Sequence, residues 1–498
     1  MGDLVSLERA ALDAESISGD PWADYRHDPF WCEYQGHGRV PLDDLAELSR
    51  RIGNMSLGEL RRRSGDAERE LFNLGITFTV YSDNQAIDRI LPFDVVPRVI
   101  RAREWEQLEA GVKQRVAALN HFLHDIYHDK KILKDGVVPT DLVLGNEYYQ
   151  PAMEGVAVRH NAYVTICGTD LVRGGDGEFY VLEDNARTPS GVSYVVENRV
   201  MMARAFPELM AALPLRPVDD YGYRLRNVMN ELASPDIDDP SVVLLSPGTY
   251  NSAYFEHIFL AREMGVPLVE GRDLVVEDDY VFMKTTAGLR RVDAIYRRID
   301  DEFLDPLAFS PDSLLGVPGL FECFRKGNVA IANAVGTGVA DDKAVYCYMP
   351  RIVKYYLDEE PILKNVETNI CREPDSLKYT LDNLENLVVK PVGESGGYGI
   401  VIGPKASRGE LDEVRAKIKA DPANFISQPV VSLSVCPTLT DSGLQPRHVD
   451  LRPFAVTGES TWVLPGGLTR VALREGSMIV NSSQGGGSKD TWVLSGNA

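Results

Sequence analysis

The sequence predicts a mixed α/β protein, and three observations carry that prediction. Apolar runs of strand length alternate with amphipathic helical stretches along most of the chain. Residues 241–269 read as strand, helix and strand in quick succession, a β-α-β unit of the kind that builds a Rossmann-like parallel sheet. Residues 447–473 read as antiparallel strands joined by glycine-containing turns. The chain's 498 residues suffice for several domains around a large core.

Residues 1–74 predict a helical N-terminal region, because "LDDLAELSRRIGNM" and "SLGELRRRSGDAERELFNLG" space apolar residues at helical intervals. From 75 to 235 strands and helices mix. "ITFTVY" (76–81) is the first clear strand, and 104–133 is a long amphipathic helical stretch with a break expected near Gly111. "AYVTICGT" (162–169) and "EFYVLEDN" (178–185) are strands. "SPDIDDP" is a polar, proline-bearing linker, after which 236–345 holds the β-α-β unit. In 346–498, "LVVKPV" (387–392) enters a glycine loop and "GIVIGP" leaves it as a second strand.

With 74 Asp plus Glu against 52 Lys plus Arg, the formal charge is −22, which argues against binding nucleic acid or an anionic membrane surface. No apolar run approaches the roughly 18 residues of a membrane span, and the start lacks a secretory pattern, so a cytoplasmic location is expected. "MGDLVS" fits the loose myristoylation pattern. Six scattered cysteines without a C-x-x-C pair read as reduced thiols.

The first chemistry lies at the end of a strand, in "VLEDNARTPSG". Alternation puts Glu183 and Asn185 on one face and Asp184 on the other. A carboxylate beside an amide oxygen suits magnesium, a hard cation that takes oxygen ligands. Asp170 in "GTDLVR" sits on the preceding strand, and the tight "RGGDG" connection brings it toward Glu183 if the two strands pair antiparallel. A solvated strand end with an Asx turn is the structural alternative. Arg187 adds a candidate catalytic guanidinium at the same strand end.

The second chemistry is the glycine loop "KPVGESGGYG". Gly393, Ser395 and Gly397 match the G-x-S-x-G nucleophile elbow, but that elbow needs a helix after its turn. Here a β-branched strand follows. A glycine hairpin instead frees backbone N–H groups for phosphate oxygens, with Lys390 at its base. "HVDLRPF" places His448, Asp450 and Arg452 on one strand face, and Arg470 follows on a neighbouring strand. Two arginines near such a loop would clamp phosphate, although cross-strand ion pairing explains them equally well. His121, His124 and His128 share a helix face that could hold a transition metal, or could simply be the exposed side.

Taken together, "PFDVVPRVI", "GTDLVR", "VLEDNARTPSGVSYVVENR", "DDKAVYCYMPRIVKYYLDEEPIL", "VVKPVGESGGYG", "HVDLRPFAV" and "NSSQGGGSKDTWVL" resemble the circularly permuted ATP-grasp ligases, similar to the synthetase domain of glutathionylspermidine synthetase. The resemblance runs from about residue 75 to the end. It implies a circularly permuted ATP-grasp fold with a Rossmann-like pre-ATP-grasp domain. Residues 75–235 would bear the metal, 236–345 would shape the substrate pocket with Arg297 and Arg298 as candidates, and 346–498 would form the nucleotide-binding lobes. It implies Asp170, Glu183 and Asn185 as magnesium ligands, and Lys354 and Lys390 as the nucleotide lysines. Gly393, Ser395, Gly396, Gly397 and Gly399 would form the lid, and Gln428 would sit at the adenine hinge. Arg452 and Arg470 would hold the γ-phosphate and an acyl-phosphate.

The implied activity is ATP- and Mg2+-dependent joining of a small-molecule or peptide carboxylate to an amine, with no protein nucleophile. A non-catalytic nucleotide-binding protein on the same fold is the alternative, and a hydrolase built on Ser395 is a further rival. The amidase domain that accompanies some glutathionylspermidine synthetases has no counterpart in this sequence.

Overall fold

The computed structural model describes residues 20–82, 85–392, 399–477, 480 and 486–496, and for 77–90 the backbone alone. Helices Ala46–Gly53 and Leu57–Asn73 form as their apolar spacing predicts. The second begins at Ser56, whose hydroxyl accepts the Glu59 amide and satisfies one of the first turn's orphan donors. The long amphipathic stretch is one unbroken helix, α1 (Ala102–Tyr127), with Gly111 inside it. That glycine serves close packing and makes no break, because a Cβ there would collide with the Leu363 side chain. α1 buries Trp105, Val112, Val116, Leu119 and Phe122 in the main core.

Strand β1 (Ile166–Arg173) starts later and runs further than its sequence pattern predicts, so Asp170 lies within it. β2 (Phe179–Asn185) returns antiparallel to it, and helix α2 (Val192–Ala205) follows. The β-α-β reading holds. Val242–Leu245, Leu268–Val269, Ala294–Arg297 and Ala330–Ala332 form a four-stranded parallel sheet, with helix Tyr254–Met264 as its first crossover.

β3 (Leu387–Pro391) and β4 (Phe425–Pro429) are the centre of a small four-stranded sheet with its own core of Cys371, Leu384, Val389, Val414, Ile418 and Phe425. Val401–Ile402 pairs antiparallel with β3. The glycine stretch therefore joins two antiparallel strands, and the strand-turn-helix of a nucleophile elbow is not what flanks it. Gly393, Ser395, Gly396 and Gly397 lie outside the described residues. Gly399 has a φ of 70°, in the left-handed region that favours glycine.

β5 (Gly443–Arg452) and β6 (Leu468–Val471) enter the ten-stranded main sheet. Its path runs Lys364–Asn365, β2, β1, β5, β6, Gly487–Val493, Phe93–Ile100. Residues 346–498 are divided between two sheets. Asn369 to Pro429 make a small lobe, and the strands from Val435 onward bond into the sheet that carries β1 and β2. Local alternation reads these strands correctly, but only the long-range ladder decides which sheet they join. No helix among the described residues is long and apolar enough to cross a membrane.

Candidate active site

The β1–β2 ladder sets Asp170 opposite Glu183 and Gly168 opposite Asn185. Asp184 takes the other face and is buried. It accepts Arg115 Nε at 2.8 and 2.7 Å and Thr169 Oγ1 at 3.3 Å. Arg115 comes from α1 and also donates to Asn365 Oδ1 at 2.8 Å. Asp184 therefore ties helix to strand, while half-buried Glu183 and Asn185 face the cleft side.

Beside β1, β5 sets Leu451 opposite Leu171, and β6 sets Arg470 opposite Asp450. Asp170, Arg452, Asp450 and Arg470 consequently form a row of alternating charge across three strands. Arg452 grips Asp170 with Nε and with Nη2, the latter at 2.8 Å, and its Nη1 reaches Ser190 O at 3.2 Å. Arg470 Nη2 reaches Asp170 Oδ2 at 2.7 Å, and its Nε meets both Asp450 oxygens at 3.0 and 2.9 Å. Burial alone would raise the pKa of Asp170, but the two guanidiniums outweigh it and hold the carboxyl well below the usual range. His448 stays out of this row; its Nδ1 is 3.0 Å from Leu433 O, and its ring lies edge-on to Phe30.

Lys390 projects from β3, half-buried. Burial lowers its pKa, Glu183 opposes that shift and Lys343 adds to it, so the three charges influence one another. Lys343 Nζ stands 3.9 Å from Glu183 Oε2. Lys354 is not part of this group. It is exposed on helix Met349–Leu357 and pairs with Asp358 at 3.2 Å and Glu360 at 3.4 Å. Lys343, not Lys354, is the lysine that stands beside Glu183. It opens a short helix capped by Asp342, which accepts the Ala344 and Val345 amides. The Asp-Asp-Lys triplet before an apolar helix marks that N-terminus in the sequence, but nothing local shows which lysine faces β2.

Arg187 Nε donates to Asp341 Oδ2 at 2.6 Å, and its guanidinium lies over the Tyr148 ring at 4.3 Å. Asp341 also accepts the Arg187 amide at 3.2 Å, and the Ala186 amide. Burial pushes its pKa up to about 6, against the opposing pull of Arg187. Asp341 was not among the residues singled out in the sequence.

This shift has a definite sign in stability. Between the ordinary carboxylate range and about pH 6 the folded chain keeps a proton that the unfolded chain has lost, so stability falls as pH rises through that window. Urea unfolding at a series of pH values should show wild type losing about 3 kcal/mol relative to Asp341→Asn between roughly pH 4 and 7. A flat difference would remove Asp341 from this role.

Gln428 is buried on β4 and donates to Thr368 Oγ1 at 2.8 Å. Thr368, Asn365, Val366, Cys347 and Pro350 border a cavity of about 360 Å3 beside the junction of the two lobes. Arg297 spends its donors on Ile299 O, Asn333 O and Ala334 O and pairs with Asp301; Arg298 donates to Pro189 O, Ser190, Tyr296 and Glu256.

The donor set can be tested against magnesium directly. Asn185 Nδ2 donates to Gly168 O at 3.0 Å, which leaves its amide oxygen as an acceptor. Glu183 and Asn185 fit a hard cation. Asp170 is already engaged by Arg452, Arg470 and, at 3.4 Å, Asn185 Nδ2, so it joins a metal only by releasing a guanidinium contact. Among the described residues no group of three or more His, Cys, Asp or Glu gathers around a common point. His124 and His128 stack on each other, and His121 on Tyr356.

A family model described as circularly permuted ATP-grasp type 2 matches residues 97–472. An uncharacterized Synechocystis protein is 53% identical over 457 residues, covering 92% of this chain and 95% of that protein. One from Mycobacterium tuberculosis is 54% identical over 437 residues, covering 88% and 79%. A longer Frankia alni protein with the provisional name glutamate–cysteine ligase 2-3 is 45% identical over 459 residues, covering 92% of this chain but 53% of that protein. The solved structure of a glutathione synthetase-like effector from Globodera pallida, in its apo form, covers 89% of this chain and 98% of its own, with a TM-score of 0.55. At 11% identity that likeness speaks to fold alone.

Proposed function

Since the chain belongs to the circularly permuted ATP-grasp type 2 family, a family of ligases, we propose that it joins a carboxylate to an amine at the expense of ATP, through an acyl-phosphate. The observation that supports this reading best is the convergence on one cleft of Glu183 and Asn185 from β2, Lys390 from the small lobe, Lys343 beside Glu183, and the Arg452–Asp170–Arg470 row.

In this reading Lys343 and Lys390 neutralise the triphosphate from two sides. Lys390 is half-buried, so its charge acts with little screening. Glu183 and Asn185 would hold magnesium, which would supply positive charge beside the triphosphate. The substrate carboxylate attacks the γ-phosphorus and ADP leaves. Arg452 and Arg470 hold the resulting acyl-phosphate. The amine then adds to the acyl carbon and loses a proton, and inorganic phosphate departs with one of the former carboxylate oxygens. The cavity beside Gln428 and Thr368 accepts the adenine. The glutamate and cysteine in the name of the Frankia relative are not carried over, because close to half of that protein lies outside the match.

The test is phosphate release from Mg-ATP with pooled carboxylates and pooled amines, followed by 18O labelling of the active carboxylate. One label per turnover should pass to inorganic phosphate. ATP bound without phosphate release in any pool would favour the non-catalytic nucleotide-binding protein. Turnover without label transfer would exclude the acyl-phosphate.

A further inference from the structure

The loop 186–191 joins β2 to α2 and touches the charged row through its backbone, as Ser190 O accepts Arg452 Nη1 at 3.2 Å. Gly168 on β1 makes room for this contact. A Cβ there would stand 3.1 Å from Arg452 Cδ and 3.2 Å from Pro189 Cβ. The loop is held on its other side by two residues of the parallel-sheet unit. Arg298 Nη1 donates to Pro189 O at 2.7 Å and Tyr296 Oη at 3.2 Å; its Nη2 donates to Ser190 Oγ and, at 3.3 Å, to Glu256 Oε1. Glu256 Oε2 accepts the Gly191 amide at 2.7 Å, the Ser193 amide at 3.1 Å and Ser193 Oγ at 2.8 Å.

Both side chains of the Glu256–Arg298 pair are 2% exposed. Burying an ion pair gains little stability over a well-packed apolar pair, so its principal effect is geometric. Here three of its hydrogen bonds go to one short loop of another unit, two more go to Ser193 in the first turn of α2, and that loop ends on Arg452.

We propose that Glu256 and Arg298 are positioning residues for the phosphoryl-transfer centre, fixing the Pro189–Gly191 backbone so that the Ser190 carbonyl aims the Arg452 guanidinium. The assignment rests on the ligase reading of the site. It also explains why the parallel-sheet unit, which contributes no residue to the charged row, is bonded so closely to it.

The test uses the full chain with Arg298→Lys, Glu256→Gln, Arg452→Lys and the double variant Arg298→Lys/Arg452→Lys, with Arg69→Lys as a surface control. Arg298→Lys keeps the charge but loses the fork, and Glu256→Gln keeps the shape but loses the charge. In phosphate release, kcat should fall at least tenfold in both, with the KM for ATP within about twofold. The double variant should be no slower than Arg452→Lys alone, because both changes act through one group. Additive losses, or a KM that rises with kcat unchanged, would overturn the proposal.

A second readout does not depend on turnover. The Arg452 Nε–H resonance, assigned by its disappearance in Arg452→Lys, should shift in Arg298→Lys and Glu256→Gln and stay in place in Arg69→Lys. An unmoved signal in the two variants overturns the positioning role even if the protein turns over. A shifted signal in a protein that neither binds nor hydrolyses ATP sustains the geometric link and removes the ligase reading instead.

Discussion

Lys343→Met should lower ATP-dependent turnover by about a hundredfold or more, while Lys354→Met leaves it within about twofold. The two lysines lie on consecutive helices, and the sequence pointed to Lys354 rather than Lys343 for the phosphate contact. Their surroundings separate them. Lys343 is mostly covered and stands 3.9 Å from Glu183, next to Lys390. Its ammonium would neutralise charge on the transferring phosphoryl group in a site of reduced dielectric, where the loss of one cation costs about 3 kcal/mol in the barrier. Lys354 is 52% exposed and already faces two carboxylates. Solvent screens such a group, so removing it should leave the rate nearly unchanged. Initial rates of phosphate release at saturating ATP decide the matter. Equal losses in the two variants would mean that the lobes rearrange so as to bring Lys354 inward.

Glu183→Gln and Asp184→Asn should separate function from stability at adjacent positions. Glu183→Gln keeps shape and loses the charge beside the metal. Turnover should fall about a hundredfold, with unfolding free energy within roughly 1 kcal/mol of wild type. Asp184→Asn leaves the buried Arg115 guanidinium without its counter-charge. Breaking one partner of a buried pair costs about 3–5 kcal/mol, so this variant should unfold earlier in urea yet keep near wild-type turnover per folded molecule. The reverse pattern would mean that the face assignment along β2 is inverted.

That assignment shows what the sequence made legible. Alternation along "LEDN" and the short turn before it are local properties, and they suffice to place Glu183 opposite Asp170 and Asp184 behind them. The β-α-β unit at 242–269 and the antiparallel strands that flank the glycine stretch were readable for the same reason, since each is set by neighbours close in sequence. What stayed hidden depends on distant chain. Gly111 looks like a helix break until Leu363 is known to pack against it. Asp341 gains its meaning from Arg187 and Lys343 gains its own from Glu183, both far away in sequence. Strands β5 and β6 have the alternation of any half-buried strand, and only their ladders to β1 and to each other set Arg452 and Arg470 on Asp170.

The central claim is that the cleft between β2 and β3 binds the triphosphate of Mg-ATP. Calorimetric titration with the non-hydrolysable β,γ-imido analogue, with magnesium present, tests this without knowledge of either substrate. Wild type should bind. Lys390→Met should weaken binding at least tenfold, about 1.4 kcal/mol, while its melting temperature stays within a few degrees of wild type. No binding by wild type at millimolar analogue, or equal affinity in wild type and Lys390→Met, would contradict the account.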